Sequence, residues 1–269
     1  MLNRGAYFWG GILIVVGVVL FLANVGILTV DVWKVLIPLV VILVGALTLW
    51  TATRPRPVME AQALRLPLEN AARASVKVRF GAGRLQVRGG ADPSTIIDGT
   101  FRGGVESDVR RSGSEASAEL RVPSDFFLHV FSPWMWWGGP RLEWDFGLTE
   151  TVPVALDVET GASEARLDLT RVLVDRLRLS CGASSVQIQM PAGAAMTTAR
   201  IESGAASVVI DIPQGVAARI EAESGLANVR VNTSRFPRID KVYRSADYDT
   251  APHRLDLHIE AGVASVDVN

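Results

Sequence analysis

Gly161-Ala-Ser-Glu-Ala-Arg-Leu167, Gly182-Ala-Ser-Ser-Val-Gln-Ile188, Gly204-Ala-Ala-Ser-Val-Val-Ile210 and Gly225-Leu-Ala-Asn-Val-Arg-Val231 are versions of one seven-residue phrase, spaced 21, 22 and 21 residues apart. A period of this length is typical of stacked solenoid rungs. The phrase recurs outside the regular run, at Gly81-Ala-Gly-Arg-Leu-Gln-Val87 and at Gly262-Val-Ala-Ser-Val-Asp-Val268. In most copies apolar residues alternate with polar ones, the pattern of a strand with one buried face. The phase changes at the glycine. Leu156 and Val158, or Leu177 and Leu179, precede it at odd offsets, whereas Ala165, Leu167 and Leu169 follow at even offsets. A straight strand cannot change phase, so each rung is expected to turn a corner there. Glycine suits such a corner because it accepts positive φ, and the small residues after it let neighbouring rungs approach closely. Gly81, Gly161, Gly182, Gly204, Gly225 and Gly262 are thus the expected structural corners.

Working outward, period-two alternation extends back to Ala63, as in Val76, Val78 and Phe80 followed by Leu85 and Val87. No amphipathic helix of useful length is expected after residue 60. The interval from Gly225 to Gly262 exceeds one rung, and residues 234–253, rich in charge and containing Tyr243 and Tyr248, read as an insertion. The last repeat is expected to close or cap the stack, protecting an edge that would otherwise invite aggregation.

The first fifty residues differ in kind. Phe8 to Ala23 carries no charge and no proline, and Val35 to Trp50 carries no charge, with Pro38 its one helix-unfriendly residue. About 20 helical residues, each rising about 1.5 Å, cross a hydrocarbon layer of about 30 Å. Asn24, Gly26, Asp31 and Lys34 interrupt the apolar runs, and Trp9, Trp33 and Trp50 sit near their ends, where indole rings favour the interface. The expectation is a two-helix transmembrane hairpin, residues 1–53, embedded in lipid through 8–50. A cleaved leader is disfavoured by the immediate second span. Arg4, Arg54 and Arg56 outnumber Lys34 in the turn, which predicts cytoplasmic termini and a cytoplasmic-facing soluble domain of a multi-pass cell-membrane protein. Pro55 and Pro57 end the hairpin in a linker, 54–62, followed by a β region, 63–150, and the solenoid repeats, 151–269.

Chemistry-bearing motifs are scarce. Lys and Arg number 27 against 28 for Asp and Glu, so no cationic excess recommends nucleic acid as a partner. His129, His253 and His258 have no metal-ligand spacing, and Gly89-Gly90 and Gly103-Gly104 lack the Lys-Ser or Lys-Thr of a phosphate loop and read as turns. Cys181 fills the slot taken elsewhere by Thr160, Ser203, Ser224 and Ala261, and is read as a small packed residue. No catalytic residue, cofactor or metal is expected. Glu159, Glu202, Glu223 and Glu260, with Ser180 between, form a column two residues before the corner. It is read as a solvated outer face balanced by Arg178 and Arg200, in preference to an acidic stripe for a cation or partner. The loop 132–144 concentrates Trp134, Trp136, Trp137 and Trp144, read either as a cap over the sheet or as an interaction surface for lipid or protein.

Arg4-Gly5, Phe8-Trp9-Gly10, Gly17, Leu22-Ala23-Asn24-Val25-Gly26, Trp33, Pro38 and Gly45 together resemble the LiaI/LiaF-type transmembrane region of bacterial cell-envelope proteins. Val76 to Phe101, with Gly81-Ala82-Gly83 and Gly89-Gly90-Ala91-Asp92, is similar to the toast-rack domain that accompanies such regions, and the later repeats resemble adhesin-like β-solenoid modules. The resemblance implies a membrane-anchored, non-enzymatic protein of an envelope stress pathway, in which LiaF-type proteins restrain a sensor kinase. It carries no catalytic residues. The structural alternative is a self-associating, adhesin-like module.

Overall fold

Alternating side chains on both arms of every glycine phrase form strands, and the strands stack because each buries only one face. The computed structural model describes residues 61–123, 142–225 and 227–269, with the single residue Pro38. Apart from Pro38, the predicted transmembrane hairpin therefore lies outside the described residues, as do residues 54–60 of the linker and Trp134, Trp136 and Trp137. Among the described residues from Ala61 onward every element is a strand. They are β1 (Ala61–Pro67), β2 (Arg73–Gly89), β3 (Thr95–Arg102), β4 (Glu106–Ser112), β5 (Glu115–Arg121), β6 (Leu142–Leu148), β7 (Val154–Asp168), β8 (Val174–Cys181), β9 (Ser185–Gln189), β10 (Met196–Ser203), β11 (Ser207–Asp211), β12 (Ala217–Ser224), β13 (Asn228–Val231), β14 (Arg238–Ile239), β15 (Val242–Arg244), β16 (Arg254–Ala261) and β17 (Ser265–Val268).

Each rung contributes one arm to each of two faces. One face runs, all parallel, through β5, the first half of β2, the first half of β7, β8, β10, β16 and β12. The other runs, also parallel, through β6, the second halves of β2 and β7, then β9, β11, β17 and β13. Antiparallel strands extend the ends: β4 on β5, β3 and β1 beyond β6, and the β14–β15 hairpin on β12. The boundary expected at 150/151 is crossed by the ladder that pairs β2 with β7 from Ala74↔Val154 to Arg88↔Asp168, and residues 57–269 form one compact unit.

The phase change occurs where the sequence placed it. In β7, Val154, Leu156, Val158 and Thr160 are buried, Gly161 and Ala162 are exposed, and Ser163, Ala165 and Leu167 are buried. Cys181, Ser203 and Ala261 precede their glycines in the same buried slot. The reason for glycine differs from the expectation. None of Gly161, Gly182, Gly204, Gly225 and Gly262 has a positive φ; that conformation belongs to turn glycines such as Gly90, Gly103, Gly104 and Gly215. At Gly161 a side chain is excluded because the backbone of the neighbouring rung is too close, and Gly182, Gly262 and Gly204 are progressively less tight. A Cβ on Gly161 would lie 2.6 Å from the carbonyl oxygen of Gly81, and one on Gly182 would lie 3.0 Å from that of Gly161.

A second correction concerns rung order. The final repeat does not cap the stack; β16–β17 lies between β10–β11 and β12–β13. Capping on that side falls to the predicted insertion, whose β15 pairs with the far edge of β12 through Arg219↔Arg244, Ile220↔Tyr243 and Glu221↔Val242. Phe236 is fully buried in the common core. Arg235 crosses its ring at 4.9 Å and donates to the carbonyl oxygens of Ile212, Pro213 and Val216, tying the loop after β13 to the turn before β12. At the other side of the stack Trp144 is buried against Phe80 and Phe101, with ring centroids 5.2 and 5.3 Å away, and its indole N–H donates to the carbonyl of Gly104.

Alanine substitution at the corners tests the close-approach explanation. Gly161→Ala is expected to destabilise by about 1–3 kcal/mol, as overpacking against fixed backbone usually does. The loss should diminish through Gly182 and Gly204 to Gly225, where a Cβ meets its nearest atom, the carbonyl oxygen of Gly262, only at 3.6 Å. Thermal unfolding of the four variants in detergent micelles measures the gradient, and a wild-type transition for Gly161→Ala would contradict it.

Candidate functional surface

In-register stacking turns each outward position of the rung into a row perpendicular to the strands. The row two residues before the corner reads Arg121, Arg79, Glu159, Ser180, Glu202, Glu260, Glu223. Two residues earlier the row reads Glu119, Lys77, Asp157, Arg178, Arg200, His258, Glu221. Ion pairs join the two rows. Lys77 Nζ lies 2.8 Å from Glu159 and 3.4 Å from Asp157; Arg200 bonds Glu202 at 2.9 Å and also reaches Glu260; Arg178 lies 3.5 Å from Glu202. Hydrogen bonding from Arg200 holds the Glu202 carboxyl below its ordinary 4.5, with Arg178 assisting against a small desolvation cost. Arg121 does the same to Glu119. Glu159, Glu202 and Glu260 of the column are thus ion-paired on the outer face. Among the described residues Glu223, at its end, has no ion pair.

The glycine column runs beside these rows as a floor without side chains. Near Cys181, Gly204, Gly262 and the carboxylates of Glu202, Glu260 and Glu223 it forms an open trough of about 560 Å³. Near Gly81 and Gly161 it forms another of about 470 Å³, flanked by Arg79 and Arg121. The corner surface is therefore basic at the β5 end and acidic at the β12 end. Such a floor can accept an extended segment or a flat partner surface, and it offers charge contacts at both ends.

The remaining candidate residues are structural where described. Cys181 is buried and its thiol is pushed up to about 11 by desolvation, which leaves it mostly protonated and a weak nucleophile near neutrality. His253 places Nδ1 3.0 Å from the carbonyl of Ala194, and His258 sits on the outer ladder with Nε2 3.1 Å from Glu260. His129 lies outside the described residues. Gly90, Gly103 and Gly104 are turn glycines at positive φ. Trp144 is a core residue, which removes it from the interaction surface predicted for the tryptophan loop. Its partners supply the reason: Phe80 and Phe101 are apolar ring neighbours from β2 and β3, and their spacing in sequence gave no sign of the meeting. The contacts of Arg235 were equally silent in the sequence, because its acceptors are backbone carbonyls.

Comparison with known proteins agrees with this architecture. The family profile described as the N-terminal domain of toast_rack (DUF2154) matches residues 55–211, more than half of the chain. That for the LiaI-LiaF-like transmembrane region matches residues 7–49, which marks the protein as membrane-associated. No curated protein matches. The chain shares its fold with the 1.95 Å crystal structure of a candidate cell adhesion protein from Clostridium sporogenes, at a TM-score of 0.70 and 20% identity. The match covers 78% of this chain and 98% of that one.

The ladder predicts a pH dependence. Glu119 and Glu202 have depressed carboxyl values in the folded state, so their contribution is complete above the ordinary 4.5 and is lost as pH falls through the lower folded values. Both groups are exposed enough for solvent screening to keep the effect small. The unfolding temperature should hold steady from pH 7 to about pH 5 and fall below that, and Glu202→Gln should reduce the acid-side fall. An identical acid profile in wild type and Glu202→Gln would contradict the assignment.

Proposed function

Because this chain belongs to the toast-rack family, we propose that it is a membrane-anchored, non-enzymatic β-solenoid whose corner surface docks another protein of the bacterial cell envelope. The observation that carries the reading is the rigid row-and-trough surface, basic at Arg79 and Arg121 and acidic at Glu202, Glu260 and Glu223, in a chain that also has a LiaI-LiaF-like membrane region. Nearly all its charge is already paired within the stack. A partner would therefore gain register and specificity from the pattern more than raw affinity from free charge.

On this reading residues 8–50 form a two-helix hairpin, and the excess of Arg4, Arg54 and Arg56 over Lys34 sets the solenoid in the cytoplasm. The partner suggested by the LiaF resemblance is a membrane sensor kinase of an envelope stress response, restrained by contact and not by chemistry. Supporting a non-catalytic role, the Cys181 thiol is held protonated by burial, while His253 and His258 are engaged in structural contacts.

Two experiments test this. A cytoplasm-dependent reporter fused after Asn269 should be active; activity confined to a reporter that works only outside the cytoplasm would overturn the orientation. A photo-crosslinking residue at Arg79 or Glu223 in the intact protein should capture a membrane partner in cells. Charge removal by Arg79→Gln with Arg121→Gln should cut that capture several-fold, with a lowered but still cooperative thermal unfolding transition, because both arginines pair with Glu119. Unchanged capture after charge removal, in protein that still unfolds cooperatively, would remove the corner surface from the reading.

A further inference from the structure

The face that runs through β6 and β13 ends in an open strand edge on both sides. Among the described residues β1 pairs with β3 alone and β13 with β17 alone, whereas on the other face β4 lies beyond β5 and the β14–β15 hairpin lies beyond β12. Asn228 and Asn232 donate to carbonyls on the β17 side. Peptide groups alternate sides along a strand, so the N–H groups of Val229 and Val231 face away from the stack, a template for a further strand. Burial marks the same edges. Val208, Ile210, Val266 and Val268 are at most 2% exposed, yet Val229 and Val231, at the same two inward positions, are only half-buried, as is Leu64 in β1. The β4 edge is blunted by Glu106, Asp108, Arg110 and Arg111, but β1 and β13 each carry one charge, Arg65 and Arg230.

The two open edges are also in frame with each other. Followed across the face from ladder to ladder, Ala63 leads to Arg230 and Leu64 to Val231 without a slip, and β1 runs in the direction of β13. A second copy added at the β13 end in that frame sets its Leu64 beside Val231 and its Ala63 beside Arg230, so that no like charges stand opposite. The ends are stepped in opposite senses. At one end β15 and β14 project past β13; at the other, β3 and β1 project while β4 alone stands beyond β5. Charge agrees, since the corner column ends in Glu223 at the first and in Arg121 at the second. A two-fold pairing of β13 with another β13 would instead drive the two β14–β15 hairpins into each other and set acidic end against acidic end.

We infer that the solenoid associates head to tail with a second copy of this chain, the open edge of β13 taking the β1 edge of the next copy as a parallel neighbour. The contact covers Val229, Val231 and Leu64 and gives the outward peptide groups of β13 a partner. It is heterologous, so each addition leaves one edge of each kind free and the assembly extends past a dimer. This association stands on the open edges and does not require the corner surface to dock another protein.

Disulfide trapping in native membranes that carry two differently tagged full-length chains, both Cys181→Ala, reads the contact. Adjacent strands lie about 4.8 Å apart, and a disulfide requires Cα atoms about 4.4–6.8 Å apart. Ala63→Cys in one chain and Arg230→Cys in the other should give a mixed disulfide-linked dimer, and a chain carrying both should give a ladder of larger species. Val229→Pro removes an N–H that faces away from the stack, so thermal unfolding should stay near wild type while the mixed disulfide falls several-fold. Leu64→Lys, an inward charge on the partner edge, replaces Val229→Pro if the latter does not fold. Absence of the 63–230 disulfide, or a yield indifferent to these edge variants, would overturn the inference. So would dimers formed by Arg230→Cys chains alone, which report two-fold pairing. Capture of a protein of another mass at Arg230→Cys, with the 63–230 product missing, would assign the edge to a different partner and overturn it as well.

Discussion

The constraint on which this molecule depends is the approach of one rung's backbone to the next at the corner. A carbonyl oxygen 2.6 Å from where a Cβ on Gly161 would sit leaves room for hydrogen and nothing larger. Because the contact is backbone to backbone, it cannot be relieved by choosing another rotamer. Once the corners are superposed both arms follow in register: Gly182 donates to Thr160 and Ala183 to Gly161, then Gly204 to Cys181 and Ala205 to Gly182. The aliphatic columns, the outward charge rows and the phase change are all consequences of that superposition.

In-register stacking also imposes an electrostatic demand. Any outward charge is repeated about 4.8 Å away unless the sequence varies it, and like charges directly opposite are unfavourable. The two outward rows meet the demand by placing carboxylates beside cations diagonally as well as directly, so that Arg178 and Arg200, neighbours in one row, share Glu202 in the other. The face that results is fixed in position and nearly neutral, with residual polarity at its ends. Those properties fit a surface that is read by a partner better than a site that performs chemistry.

Repetition brings a second consequence. Rungs alike in register, apolar phase and corner geometry say little about their own order, which is marked by non-repeating contacts. Among these are Arg200 with Glu260, His253 with the carbonyl of Ala194 and Asn269 with Asp211, together with the stretch after β13, where Arg235 and Phe236 hold the turn before β12 and β15 covers the edge of that strand. The buried ring of Trp144, with Phe80 and Phe101, does corresponding work where β3 and β6 join the first rung.

Strand content, rung length, corner positions, the inward residues and the outward position of the glutamate column were all legible in the order of residues. They are local: period-two alternation, a glycine and a fixed interval are complete within some twenty residues, and the membrane region is equally local in its hydrocarbon composition. Three things were decided only in three dimensions. Gly161, and less tightly Gly182, Gly262 and Gly204, are crowded by the backbone of a neighbouring rung 20 or more residues away, so their ordinary φ could not be read from the phrase itself. Trp144 belongs to the core because β2, β3 and β6 converge on it. The final repeat lies inside the stack, where Glu260 meets Arg200, His253 meets the carbonyl of Ala194 and Asn269 meets Asp211, contacts between residues distant in sequence that rung spacing cannot state.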